Sequence, residues 1–372
     1  MRAIRIAALA LCAVGLCALW MPVTAAAQGH TPPKRIEVAP GIHLFITAPY
    51  GDFGLDGNSI AILSNDGVLV FDSNGTPAAA ENVIAEIRKL TLQPVKYLVN
   101  SHWHWDHWYG AEAYKKAFPK VTVITQEKSR SMMAGPAIEW NRPFMEQDFP
   151  GFLDGLKKRV ADGEAANPQP ANLPRLKAVL AQAAFFYEQK KNVHYTLADV
   201  TFKEKMELKI GDRVIHLLNF GPAVTPGDTF LYLPQEKMVV SGDLLVNPIA
   251  FALSSYPTGW LKTLEKIDAL DATVIIPGHG EPLRDKELLR ATMDVMRILL
   301  REGKAAKEKG IDADAAKAAI LPQLRELMVK ITKDDPNQNK LFELYLVDWY
   351  LHRVYDELNG PLTDAVVRPP SH

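Results

Sequence analysis

Apolar and polar positions alternate along the chain in a way that orders it into strands, then helices, then strands and helices again. Between residues 36 and 72, the apolar runs Ile42–Ile46, Ser59–Leu63 and Val68–Phe71 are separated by Asn, Asp and Gly and predict strands joined by turns. Pro77 to Leu90 places Val83, Ile84 and Ile87 at helical spacing and predicts an amphipathic helix. Val95–Val99 predicts a buried strand. A histidine-rich loop follows it, then a helix from about Tyr109 to Phe118 and a short strand at Val121–Ile124. From about Ser129 to Lys191 the pattern turns helical. It predicts an insertion of helices broken at Gly151, at Gly155 and at Asn167-Pro168-Gln169-Pro170. Such an insertion either covers a site as a lid or packs on the outside of a sheet. Strand patterns resume at Val200–Phe202, Met206–Ile210, Val214–Leu218, Thr229–Leu233 and Met238–Val240. A helix at Trp260–Leu270 and a last strand at Thr273–Ile276 follow. The remainder predicts helices at about Lys286–Lys309, Asp314–Lys330 and Asn337–Leu358. The last carries Phe342, Tyr345, Trp349, Tyr350 and Tyr355, a stripe that fits core packing or the face of a homodimer.

The first residues predict a different fate. Arg2 and Arg5 precede an apolar run from Ile6 to Trp20, and Ala25-Ala26-Ala27 supplies small residues for cleavage before Gln28. This is the pattern of a secretory signal peptide. The run is shorter than the roughly 20 residues that span a bilayer. The expectation is a bacterial protein that is secreted or periplasmic, with no stable membrane insertion after cleavage. Cys12 and Cys17 both leave with residues 1–27, so the mature chain carries neither a disulfide nor a thiolate metal ligand.

Composition narrows the class further. The chain has 372 residues, 48% hydrophobic and 23% charged, which excludes a wholly disordered chain, a fibrous repeat and a polytopic membrane protein. Its 42 basic and 43 acidic residues give a formal net charge of −1. Near-neutrality supplies no clustered basic surface for nucleic acid, and a small-molecule substrate is the expectation.

Residues 101–107 read Ser-His-Trp-His-Trp-Asp-His, directly after a buried strand. His102 and His104 are two apart, so in extended backbone they point the same way. Asp106 and His107 are adjacent, and a turn there aims them at a second point nearby. Imidazole nitrogen and carboxylate oxygen are ligands for zinc and similar metals. Two later strands end in further ligand types: Val239-Val240-Ser241-Gly242-Asp243, and Val274-Ile275-Ile276-Pro277-Gly278-His279-Gly280.

With these motifs in this order, the chain resembles the metallo-β-lactamase superfamily of metal-dependent hydrolases from about Ile42 to Pro282. The resemblance implies an α/β fold, a four-layer αββα sandwich with the metals at one edge of its two sheets. The signal peptide would occupy 1–27 and the metallo-β-lactamase-like domain 28–285, with the 129–191 helical insertion inside it. A C-terminal helical extension would occupy 286–372. By the same resemblance His102 and His104 belong to a first metal site, Asp106, His107 and His279 to a second, and Asp243 bridges them. Asp72 would support the ligand loop from behind.

One ligand of the family pattern is absent. Where the family carries Gly-x-x-His-Thr-x-Gly-Asp, residues 221–228 read Gly-Pro-Ala-Val-Thr-Pro-Gly-Asp. Val224 replaces the third histidine of the first site, while Thr225, Gly227 and the supporting Asp228 remain. The first site would keep His102, His104, Asp243 and water, a weaker three-ligand set, and the second site would fill first. One or two zinc ions are expected, with iron as the alternative metal. Of His43, His194, His216 and His352 elsewhere in the chain, His194 is the least constrained substitute. Trp103 and Trp105 alternate with the ligands and either wall the substrate pocket or pack beneath the loop.

The expected chemistry is attack by metal-bound hydroxide on an ester, lactone, thioester or β-lactam bond, with Asp106 both binding metal and orienting the water. An aspartate at 243 resembles the thioesterase, lactonase and phosphodiesterase branches, since the lactamases commonly carry Cys or Ser near that position. Trp105 stands where the nuclease branch usually has glycine. Two readings of other classes accompany this one. Loss of the ligand at 224 fits a non-catalytic or regulatory metal-binding homologue, which would hold ligand without turnover. Two histidines and one carboxylate also fit a non-haem iron oxygenase, which iron content and oxygen-dependent turnover would reveal.

Overall fold

Side chains along β4 (Gly67–Phe71) point alternately to opposite faces, and both faces are buried. Leu69 and Phe71 enter one apolar cluster, Val68 and Val70 another. A strand buried on both sides implies layers above and below it, and the computed structural model contains them. It describes residues 31–48 and 56–363. The segment 1–27, read above as a signal peptide, and both cysteines lie outside the described residues.

The first sheet runs in chain order: β1 (Lys34–Ala39), β2 (Ile42–Ile46), β3 (Ser59–Ser64), β4, β5 (Val95–Val99), β6 (Thr122–Gln126) and β7 (Val200–Phe202). It is antiparallel from β1 to β4 and parallel from β4 to β7. The second sheet comprises β8 (Lys205–Ile210), β9 (Arg213–Leu218), β10 (Phe230–Leu233), β11 (Met238–Gly242) and β12 (Val274–Pro277), in the order β12-β11-β10-β9-β8. Only β11 and β12 pair in parallel there. Between the sheets, Leu44, Ile60, Leu69 and Phe71 pack with Ile215, Leu217, Leu231 and Ile276. The outer face of the first sheet is covered by the helices Pro77–Leu90 and Ala111–Ala117, through Val83, Ile87 and Tyr114. The outer face of the second sheet meets Trp260 and Leu264 of helix Pro257–Asp268 and the helices Glu287–Glu308 and Trp349–Asn359. The four layers are α, β, β, α, as the resemblance implied.

Two expectations about helices are corrected, and the alternatives for a third are decided. The helix Phe149–Ala165 runs through Gly151 and Gly155 instead of breaking there. A side chain at either glycine would meet nothing within 4 Å, so each sits on an open face. The cost of about 1 kcal/mol per glycine is offset by burial of Leu153, Leu156 and Val160 on the other face. The segment 314–330 is not one helix but Ala313–Ile320, a 3₁₀ turn at Leu321–Leu324 and Arg325–Thr332. Pro322 lacks the N–H that a continuous helix needs. The aromatic stripe is interior: Phe342, Tyr345, Trp349 and Tyr350 are buried within the chain, and Tyr345 stacks on Trp349 at 4.7 Å. Core packing accounts for it.

Candidate metal centre

Four strand ends meet at one edge of the sandwich. β4 ends before Asp72, parallel β5 runs into Ser101 and His102, β11 ends before Asp243, and parallel β12 ends before Gly278 and His279. Parallel neighbours place their C-terminal ends side by side, where loops of both can converge. Two backbone bonds tie the sheets together at this edge: Thr229 N–H donates to Ser101 O at 2.7 Å, and Asn58 N–H to Gly278 O at 2.7 Å. The chain leaves each strand by a sharp turn. Asp72 has φ 62° and Gly242 has φ 52°, both left-handed. At Gly278 a Cβ would fall 2.0 Å from Asp243 Oδ1, so only glycine lets the two strand ends approach. The histidine loop becomes one helical turn, Trp105–Trp108, which carries Asp106 and His107 side by side.

All six expected ligands come together. His102 Nε2 lies 3.6 Å and His104 Nδ1 3.9 Å from Asp243 Oδ2. His107 Nε2 is 3.3 Å from Asp106 Oδ2 and 3.3 Å from Asp243 Oδ1. His279 Nε2 is 3.0 Å from Asp106 Oδ2 and 3.5 Å from Asp243 Oδ1. Asp243 turns one oxygen to His102 and His104, the other to His107 and His279, the geometry of a bridge. His102 Nε2, His107 Nε2 and Asp243 Oδ1 are buried and have no hydrogen-bond partner among the described residues. Buried polar atoms are normally paired. Imidazole and carboxylate atoms left unpaired and aimed at a common point fit a metal ion of the zinc type.

Behind the ligands, partners fix each ring. Ser101 Oγ donates to Asp72 Oδ2 at 2.8 Å and accepts from His102 Nδ1 at 2.8 Å, which frees His102 Nε2 as a ligand. Asp72 also accepts from Ser101 N–H at 2.6 Å and from His107 Nδ1 at 2.7 Å, freeing His107 Nε2. Ser254 Oγ donates to Val224 O at 3.0 Å and accepts from His104 Nε2 at 3.0 Å, freeing His104 Nδ1. Asn58 Nδ2 donates to Pro277 O and Gly280 O and braces the turn that presents His279. Sequence reasoning placed Asp72 but missed Ser101, Ser254 and Asn58. Ser101 carries no spacing signal beyond preceding His102, and Ser254 and Asn58 lie far from the motifs they serve.

The remaining positions sort plainly. Asp228 closes its own turn, with Oδ2 accepting from Thr225 N–H and Oδ1 from Thr225 Oγ, both at 2.9 Å. Burial pushes its carboxyl up to about 7. Val224 is fully buried in the apolar cluster that includes Ala250 and Trp260, and its carbonyl accepts from Ser254 Oγ, the hydroxyl that holds His104. His194 is exposed, His43 and His216 lie in β2 and β9, and His352 lies in the last helix. None of the four joins the groups that converge here. Trp103, 1% exposed, packs beneath the loop with Met132, Met133 and Ala137 and is not a pocket wall. Trp105 is half-buried against the insertion.

Without metal the cluster pairs its own charges. Burial lowers His102, reinforced by His107 and His104, and keeps it neutral. Burial would raise Asp106 and Asp243, but His107 and His279 outweigh it and hold both well below the usual carboxylate range. Burial likewise opposes charge on His107 and His279. Yet Asp106, Asp243 and Asp72 lift His107 well above its ordinary value, and Asp243 and Asp106 lift His279 to about 10. The His279 ring therefore carries a proton at pH 7 that a metal must displace. Zinc affinity is expected to rise with pH between about 7 and 10, by about tenfold per pH unit for each proton released. Calorimetry in buffers of different ionisation heat should register the release, and a pH-independent affinity would contradict it.

This sequence matches the family described as the metallo-beta-lactamase superfamily over residues 52–279, and the chain belongs to that superfamily. Among curated proteins it is similar to a linear primary-alkylsulfatase of Pseudomonas sp. (strain ATCC 19151), 21% identical over 276 residues. The match covers 67% of this chain and 47% of that protein, so the chain spans about half the length of this relative. Among solved structures it is similar to the stereoselective inverting sec-alkylsulfatase Pisa1 from Pseudomonas sp. The TM-score is 0.58 and the identity 17%, over 89% of this chain and 51% of that one. A metallo-beta-lactamase from Pontibacter korlensis gives a TM-score of 0.51 at 18% identity, over 71% of this chain and 99% of that one. At these identities the structural likeness establishes the fold.

Proposed function

We propose that the protein is a secreted or periplasmic zinc hydrolase that cleaves an ester bond of a small molecule. The observation that carries this reading is the convergence of His107 and His279 on both Asp106 and Asp243, with buried ligand atoms that make no hydrogen bond among the described residues. Asp106, His107, His279 and Asp243 would hold a zinc ion there, which would make water acidic enough, towards a pKa of about 7, to supply hydroxide and would polarise the substrate's oxygen. The protein residues divide the remaining work. His102 and His107, with side chains at most 1% exposed, form the floor, while Asp106 and His279, at 12% and 13%, form the mouth where substrate arrives. Asp106 accepts a hydrogen bond from the attacking water and so sets its direction.

Val224 gives the first site no ligand, so the second site holds zinc more tightly. Val224→His is expected to raise the tightly bound zinc from about one to about two per chain. Elemental analysis after dialysis measures this, and an unchanged count in a folded variant would mean position 224 does not face the first site.

Carboxylic esters and lactones are the first substrates to try. The likeness to alkylsulfatases in both sequence and fold adds sulfate esters to them. The test is a panel on the zinc-loaded full chain: 4-nitrophenyl butyrate, a γ-lactone, a chromogenic cephalosporin and dodecyl sulfate. Turnover of an ester that disappears in His279→Ala supports the proposal. Zinc held tightly with no turnover of any member supports the non-catalytic reading, and iron with oxygen-dependent turnover supports the oxygenase.

A further inference from the structure

From the 129–191 insertion a charged side chain, Lys190, reaches the aromatic residues that flank the metal ligands on their loop. Lys190 lies in the last turn of helix Leu173–Lys191, is 5% exposed, and its Nζ has no hydrogen-bond partner among the described residues. That Nζ sits 3.4 Å from the ring centroid of Trp105 and 4.3 Å from that of Tyr109. One turn earlier, Phe186 meets Trp105 edge-on at 5.8 Å. Next to Lys190, Gln189 Oε1 accepts from Ala78 N–H at 3.1 Å and pins this helix end to the start of helix Pro77–Leu90.

Trp105 stands between His104 and Asp106 in the chain, and the backbone also approaches it closely. A Cβ on Gly75 would fall 2.3 Å from Trp105 Cζ3 and 2.9 Å from Asp106 Cα. The indole is thus contacted by the backbone at Gly75 and by Lys190 Nζ, and its own backbone leads directly into Asp106. Lysine is almost never fully buried without a partner. A methionine would fill a similar volume without the cost of burying a charge. Three aromatic rings meet Nζ, those of Trp105, Tyr109 and Phe186; burial pushes the Lys190 ammonium well below its ordinary range, while the carboxylates of Asp106 and Asp56 act at longer range to keep its proton.

We propose that Lys190 is a positioning residue of the metal centre: its ammonium clamps the Trp105 indole and thereby sets where Asp106 presents its carboxylate to the second metal site. The insertion then works as a clamp on the ligand loop. This rests on the reading of the site as a metal centre. Loss of the charge loosens Trp105 and Asp106 but leaves His107, His279 and Asp243 in place.

The test measures zinc affinity of the full chain by competition with a chelator, together with the visible spectrum of the cobalt-substituted protein. Lys190→Met is expected to weaken the tighter zinc site by about tenfold, as losses of support behind ligands do, and to alter the cobalt spectrum. Lys190→Arg, which keeps a cation over the ring, is expected to restore most of the affinity. Lys190→Met with affinity and cobalt spectrum like the parent chain, or both variants weakened equally, would overturn the inference. If Lys190→Met does not fold, two other variants carry the same test. Trp105→Phe keeps a ring beneath the ammonium and should retain most of the affinity, whereas Trp105→Leu should lose about tenfold; equal behaviour of the two overturns the clamp. Failure of the underlying reading looks different, because then the unaltered chain binds no zinc or His279→Ala binds it equally well.

Discussion

Asp106→Ala is expected to lower hydrolysis by about 10²–10⁴-fold, the range over which a group that orients or accepts a proton contributes, while the chain stays folded. Asp106 is the one acidic ligand at the mouth of the site, and its Oδ2 lies within 3.3 Å of both His107 Nε2 and His279 Nε2. Alanine removes both a second-site ligand and the acceptor that directs the water. The layers of the sandwich do not depend on it, because Asp106 belongs to a short helical turn outside both sheets. Initial rates at saturating zinc separate the two roles: a deficit that persists when the site is full belongs to water orientation. Full activity in this variant would remove Asp106 from the mechanism.

Asp72→Ala should cost more in stability than any ligand substitution, about 3–5 kcal/mol, the effect of breaking a buried charged pair by deleting one partner. Asp72 is 1% exposed and accepts from Ser101 N–H, Ser101 Oγ and His107 Nδ1. Burial raises its pKa while His107 and Ser101 pull it back, so the carboxylate holds its charge only through these partners. Alanine strands all three donors in the interior. It also unfastens His102 and His107 together, since Ser101 links Asp72 to His102, and zinc affinity should fall by about 10–100-fold. Denaturant unfolding of the metal-free variant isolates the stability effect. A loss below about 1 kcal/mol, the size of a single ordinary hydrogen bond, would mean the network is not the support described.

Much of this site was legible in the sequence because its ligands are local. His102, His104, Asp106 and His107 fall on one loop, and Asp243 and His279 each follow a glycine at the end of an apolar strand. The glycines themselves are explained only in three dimensions: Gly278 is required by Asp243 Oδ1, a neighbour 35 positions away. The layers were legible for a similar reason, since strands such as β4 read as continuous apolar runs when both faces are covered. Ser254 and Asn58 were not legible, because a hydroxyl or amide that braces a ring from an irregular segment leaves no periodicity. Lys190 gave the opposite signal, since a lysine near the end of a polar helix reads as solvated. Gly151 and Gly155 misled for want of tertiary context, as an open helix face tolerates glycine when the opposite face is buried.

The most direct test of the metal centre is elemental mass spectrometry on the full chain purified without added metal, beside His279→Ala. The proposed function predicts about one tightly held zinc per chain, lost in the variant, because His279 would serve the second site, whose protein ligands are complete. A chain that retains no metal, or a variant that retains as much as the parent, would contradict it.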